Sequence, residues 1–553
     1  MRTFLSIVTS GAMLASLAID PSVVRAQSAA ITTPTTPIQH VVVIFGENIS
    51  FDHYFGTYPK AANPPGQPRF TALPNTPAVN GLTPALLTSN PNLNSANGAG
   101  ASNPFRLNRT QAATADMNHN YLPEQQSFDG GLMDLFPLKT GTAGGTLGNY
   151  PPVINTKGLV MGYFDGNTVT ALWNYAQHFA MSDNSYNTQF GPSTPGALNL
   201  ISGQTNGIIQ STALNGPSTS FEVADGQGGW TMIGDGDPLG DVCSNPTRFQ
   251  ANMSGKNVGD LLNAAGLSWG WFEGGFDLTV TNANGTTGCS RSTASPITGI
   301  NSSADYIPHH SAFAYYVSTQ NAKHTRPVNA ASVGLANDGA NHNYDMHDWF
   351  DALAVGNLPA VSYLKAPAYQ DGHPGYSNPL DEQAFIVNVI NTLENSQFWS
   401  STAVIIAYDD SDGWYDHQMG AIVNGSFSSQ DGLSGSNACG TQGTTPQLPG
   451  PNSNGLPVNG RCGFGVRTPL VVVSPWAKAN YVDHTLTDQS SILRFVEDNW
   501  NLGRIGGGSF DAITNSISGM FDFSKTTPPN STPLILSPVT GLPVASSTTA
   551  SAQ

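Results

Sequence analysis

The chain has 553 residues, 39% hydrophobic and only 10% charged, so a sizeable core is available and its surface is wetted mainly by Asn, Ser, Thr and Gly. That composition disfavours a disordered charged tail or a coiled coil. With 20 Lys and Arg against 37 Asp and Glu the formal net charge is −17, which repels phosphate backbones and anionic headgroups at long range and argues against nucleic acid as a main partner.

From the N-terminus, Arg2, the apolar run Phe4 to Ala18, Pro21 and the small-residue site Val24-Arg25-Ala26 read as an export signal over residues 1–26. Maturation is expected at Gln27, which places the product in the periplasm or outside the cell. No later stretch approaches the roughly 20 apolar residues that cross a bilayer. His40 to Phe45 (HVVVIF) is β-branched and apolar on successive positions, the mark of a strand buried on both faces. Val169, Leu172, Trp173 and Ala176 then show helical period, as do Ile386, Val389, Ile390 and Leu393. Thr402 to Tyr408 (TAVIIAY) and Leu470 to Ser474 (LVVVS) repeat the buried-strand pattern, and Ile492, Phe495, Val496 and Trp500 the helical one. Strands alternating with such helices predict an α/β three-layer sandwich with a mostly parallel sheet.

Two segments crowded with Gly, Asn, Ser and Thr, near 203–303 and 425–461, are expected as insertions on a single catalytic domain over residues 27–525. Residues 526–553, rich in Pro, Ser and Thr, are expected to form a flexible tail. The even count of four cysteines suits an oxidising compartment. Cys243 is predicted to pair with Cys289 and Cys439 with Cys462, the most local of three connectivities.

Glu47-Asn48 follow the first strand and Asp409-Asp410 follow the strand that ends at Tyr408. In open α/β sheets ligands bind beyond the carboxyl ends of strands, so the two pairs can converge on a hard-cation site. Taken singly, Glu47 could as well cap a turn, and Asp409 to Gly413 could be a solvated acidic turn. Gly191-Pro192-Ser193-Thr194-Pro195-Gly196 precedes a short helix-like run, which puts Ser193 at or near a helix N-terminus that welcomes phosphate. A plain capping serine explains the spacing equally well, and the segment is not a GxSxG elbow. His119, the tandem His309-His310 and His373 fall in polar loops, where an imidazole can serve a phosphoryl group or simply be solvated.

Together, HVVVIFGENISFDHYFGTYP at 40–59, GPSTPG at 191–196, His309-His310, DGHPGYSNPLDEQ at 371–383 and AYDDSDGWYDH at 407–417 resemble the bacterial phosphoesterase family of acid phosphatases and non-specific phospholipases C. The resemblance runs in order from about residue 38 to residue 500. It implies an alkaline-phosphatase-like fold and a phosphoserine mechanism at one divalent metal ion: calcium, magnesium, manganese, iron or zinc. By motif, Ser193 is similar to the nucleophile, and Glu47, Asn48, Asp409 and Asp410, joined by the Ser193 oxygen, to the metal shell. Asn48, Asp410, His119, His309, His310 and His373 correspond to phosphate and leaving-group contacts. The phospholipase branch typically reads QENRSFDHYFG and GPTDPNR, whereas this chain has Gly46, Ile49, Ser193 and Thr194-Pro195-Gly196. The resemblance therefore leans to the acid phosphatase branch, with a small phosphate ester as substrate, a phospholipid as the alternative, and an acidic optimum from protonated histidines. Oligomeric state is left open.

Overall fold

The structure, a computed structural model, describes residues 32–141, 156–212, 219–441 and 457–544, so the expected export signal lies outside the described residues. Eight strands form the central sheet: β1 His40–Gly46, β2 Ala180–Ser182, β3 Trp269–Glu273, β4 Asn343–Asp345, β5 Val361–Lys365, β6 Thr402–Tyr408, β7 Leu470–Val473 and β8 Tyr481–Asp483. Across the sheet they lie in the order β4-β3-β5-β1-β6-β7-β2-β8. Only β7 runs antiparallel to its neighbours; the remaining pairs are parallel.

Every residue of β3, β5, β6 and β7 is buried. Both faces of the sheet are therefore covered, which is what continuous β-branched runs such as VVVIF and AVIIA require. The covering helices include α1 Phe51–Phe55, α2 Thr170–His178, α3 Ser193–Ser202, α4 Val258–Ala264, α5 Met346–Ala354, α6 Pro379–Glu394 and α7 Gln489–Trp500. They gather in groups: α3 packs on α7 and α4, and α2 on α6. The expected α/β sandwich, its three legible strands and its three helical periods are all present.

Two expectations need correction. The segment near 203–303 is not one insertion, because it contributes α4 and the core strand β3, which lies between β4 and β5. Its sequence, WGWFE, carries no β-branched residue, and burial of Trp269 and Trp271 supplies the core contact instead. The tail after Thr526 is not loose as far as Val544. It has no helix, yet Leu536 is buried, its N–H donates to Asn391 Oδ1 at 3.1 Å and its carbonyl accepts from Asn391 Nδ2 at 2.8 Å, which fastens the segment along α6. Such side-chain-to-backbone bonding leaves no periodicity to read. Cys243 pairs with Cys289 and Cys439 with Cys462, as predicted; of the second expected insertion, residues 442–456 lie outside the described residues.

Candidate active site

The register of β1 against β6 brings the two acidic pairs together. The strands are parallel with Gly46 opposite Tyr408, so Glu47 and Asp409 leave the same sheet edge side by side. β5 flanks β1 on the other side with Leu364 opposite Ile44, which puts the ammonium of Lys365 at that edge as well. Glu47, Asn48, Asp409, Asp410 and Lys365 are all buried.

Asn48 has a positive φ of 63°, a left-handed conformation that Asn adopts more readily than most residues. In that shape it ties two loops: its N–H donates to Asp409 Oδ1 at 3.0 Å and its Nδ2 to Asp412 Oδ1 at 2.9 Å. Its own Oδ1 is left buried without a hydrogen-bond partner, and so is Asp409 Oδ2.

Ser193 is the first residue of α3, and the N-cap is Pro192, with no side-chain cap bond. Its hydroxyl is thus free of capping duty. It lies 3.1 Å from both Glu47 Oε2 and Asp410 Oδ2. Gly191 has a φ of +116°, and its N–H donates to Glu124 Oε2 at 2.9 Å. Glu124 Oε1 accepts in turn from Ser411 Oγ at 2.5 Å, so one buried carboxylate joins the serine loop to the acidic loop. Gly196 lets α3 approach that loop: a Cβ there would lie 2.0 Å from the Asp409 carbonyl oxygen.

Of the five predicted residues, Ser193 meets Glu47 and Asp410 directly, and Asn48 is joined to Asp409 through its N–H. Lys365 pairs with Glu47 and stands 3.6 Å from Asp409 Oδ2, a single ammonium against three buried carboxylates. Asp410 is pushed well above the usual carboxylate range, first by burial and then by the neighbouring Asp409 charge. Two orphaned buried oxygens among carboxylates that outnumber the one ammonium fit a hard divalent cation. Lys365 itself was missed from sequence, because VSYLK carries no pattern that marks it as a strand of the central sheet.

The histidines divide by environment. His310 Nδ1 is 3.2 Å from Glu47 Oε1, yet burial, followed by the charges of His309, His373 and Arg248, holds its pKa well below 6.5. Burial also lowers His373, against the pull of Asp116. For His119 burial is outweighed by the carboxylates of Asp410, Asp412, Asp116 and Asp235, and its pKa stands well above 6.5. His119 Nδ1 lies 3.4 Å from Asp412 Oδ1, and its ring centroid 6.0 Å from that of His373. His309, His310 and His373 line a cavity of about 530 Å³. Thr194 donates its hydroxyl to the His309 carbonyl at 3.2 Å, which sets the tandem beside the serine. Ligand atoms of Asp116, His119, His373 and Asp412 all lie within 4.8 Å of one another, as do those of Glu47, His310 and Asp371. Sequence reading missed the parts played by Glu124, Asp371 and Asp412. Asp412 stood in the acidic run and Asp371 opened the DGHPG motif, but Glu124 carried no motif that separates it from surface acids.

A model of the family described as "Phosphoesterase family" matches residues 38–503. The chain is 26% identical over 517 residues to a non-hemolytic phospholipase C of Burkholderia pseudomallei, across 90% of this chain and 61% of that protein. It is 24% identical over 516 residues to phospholipase C A of Mycobacterium tuberculosis, across 90% of this chain and 79% of that protein. Among solved structures, a protein in the alkaline phosphatase superfamily from Vibrio parahaemolyticus is similar at 12% identity and a TM-score of 0.26, covering 61% of this chain and 62% of the other.

Proposed function

The chain belongs to the phosphoesterase family, and on that premise we propose that it is an exported, metal-dependent phosphomonoesterase working through a phosphoserine. The observation that carries the reading is the Ser193 hydroxyl, uncapped and 3.1 Å from each of two buried carboxylates. Glu47, Asn48, Asp409, Asp410 and Ser193 would hold the cation, which when bound supplies Lewis-acid activation of the hydroxyl and neutralises phosphoryl charge.

The protein's own groups then account for the proton traffic. The Ser193 hydroxyl proton passes to an adjacent carboxylate oxygen as the Oγ–P bond forms and the bond from phosphorus to the leaving alcohol breaks. His119, whose imidazolium is favoured by its carboxylates, gives its proton to the departing oxygen. Neutral His119 then takes a proton from water as that water attacks the phosphoserine, the P–Oγ bond breaks, and the carboxylate returns its proton to Ser193 Oγ, releasing phosphate and restoring the serine. His309, His310 and His373 orient the phosphoryl oxygens from the cavity side.

A phospholipase C is the second reading, favoured by the similarity to the two phospholipases C. GENISFDHYFG and GPSTPG favour the monoesterase. No described helix is long and apolar enough to cross a membrane, and the N-terminal signal motif supports export. Hydrolysis of p-nitrophenyl phosphate against p-nitrophenyl phosphorylcholine separates the two readings. Ser193→Ala is expected to abolish turnover in a chain that still folds, since no cap bond is lost, and exhaustive chelation is expected to abolish turnover as well; activity surviving either treatment overturns the mechanism.

A further inference from the structure

The cavity before the histidines is lined by one permanently charged cation, Arg248. It reaches the nucleophile's surroundings through two contacts. Its NH2 donates to the Asp235 carbonyl at 3.2 Å, and Asp235 Oδ1 accepts the N–H of Thr194, the residue after Ser193, at 3.0 Å. Its NH1 is 3.5 Å from His309 Nδ1, and the His309 carbonyl holds the Thr194 hydroxyl. The guanidinium is nonetheless under-used. Asp237, the nearest carboxylate, is 3.8 Å away, beyond hydrogen-bond reach, and Asp237 Oδ1 has no hydrogen-bond partner at all. Most of the five N–H donors of Arg248 remain for a ligand, in the planar fork that matches two phosphate oxygens.

We propose that Arg248 is the specificity-determining residue of this site, binding the dianionic phosphate of a monoester and disfavouring a diester whose headgroup carries a quaternary ammonium. The two substrate classes differ in the sign of charge they bring into this space. A monoester adds a second negative charge where Arg248 stands, whereas a choline-type group would set a fixed cation against it without forming a hydrogen bond. The proposal rests on the phosphomonoesterase reading and deepens it.

Wild type, Arg248→Gln and Arg248→Lys are compared in the metal-loaded full chain, with kcat/KM for p-nitrophenyl phosphate and p-nitrophenyl phosphorylcholine, competitive inhibition by inorganic phosphate, and the melting temperature. Arg248 is partly exposed at the cavity, so the melting temperature is expected to hold. Arg248→Gln is expected to lower kcat/KM for the monoester about 10- to 100-fold and to weaken phosphate inhibition by a similar factor, and to lower the diester rate by a clearly smaller factor. Arg248→Lys is expected to fall between, since it keeps the charge and loses the fork. If Arg248→Gln does not fold, the same comparison with Arg248→Lys decides. Equal losses on both substrates, or an unchanged monoester rate with unchanged phosphate inhibition, overturn the role of Arg248. A wild type inert on the monoester overturns the monoesterase reading instead.

Discussion

Burial alone would lower the pKa of His119, His310 and His373 alike, and what separates them is the number of carboxylates facing each ring. Four face His119; the neighbours of His310 are mostly cationic. Of these three rings, only His119 is held toward the imidazolium. A raised histidine value means the proton is held below and through 6.5 and lost only as pH climbs past the raised value. We therefore expect the alkaline limb of kcat/KM to lie above 6.5 and to belong to His119. His119→Gln should remove that limb and slow the monoester reaction about 10²- to 10⁴-fold. A variant that keeps the wild-type limb would show that another group is the acid.

At the scale of elements, the site is a consequence of register. Gly46 opposite Tyr408 puts Glu47 beside Asp409, and a slip of one residue would turn each side chain to the other face. α3 must then come close enough to deliver Ser193, which Gly196 allows. Gly196→Ala would drive a methyl group into the Asp409 backbone, so we expect about 1–3 kcal/mol of lost stability by urea unfolding and a larger loss of turnover than of substrate affinity. Wild-type stability and rate in that variant would show that the loop yields. The same elements show what was legible in sequence. β1 and β6 are apolar at consecutive positions and carry their acids directly after the last strand residue, so strand and site could be read together. β3 and β5 could not, because WGWFE and VSYLK mix aromatic, small and charged residues, and their place is decided by neighbours far away in the chain. Glu124 acts through a loop N–H and a serine hydroxyl, contacts that no local pattern encodes.

For the whole molecule, buried acids set the response to pH. Burial pushes Glu124, Glu382 and Glu394 each up to about 7, and Glu497 to about 9. An acid whose folded value exceeds its unfolded one keeps a proton that the unfolded chain has already released, so stability rises as pH falls through the folded value. Below about 6.5 the half-buried His40 and the buried His53, His310, His342 and His373, all lowered by desolvation, oppose this by favouring the protonated unfolded chain. We expect the chelated protein to melt about 2–5 °C higher at pH 6.5 than at pH 9; an equal or lower melting point at pH 6.5 would mean that these acids ionise freely in the fold. The place of β1 in the sheet has a bearing on the chain's history as well as its stability. β1 lies between β5 and β6, and the Asn48–Asp409 bond spans 361 residues. At about 5–20 residues per second of synthesis, β1 waits roughly 18–72 seconds for β6, apolar and open along both edges. Until the residues around 409 have been made, a growing chain holds neither the acidic shell nor a docked serine, and the hydrolase is silent for as long as it is still a thread.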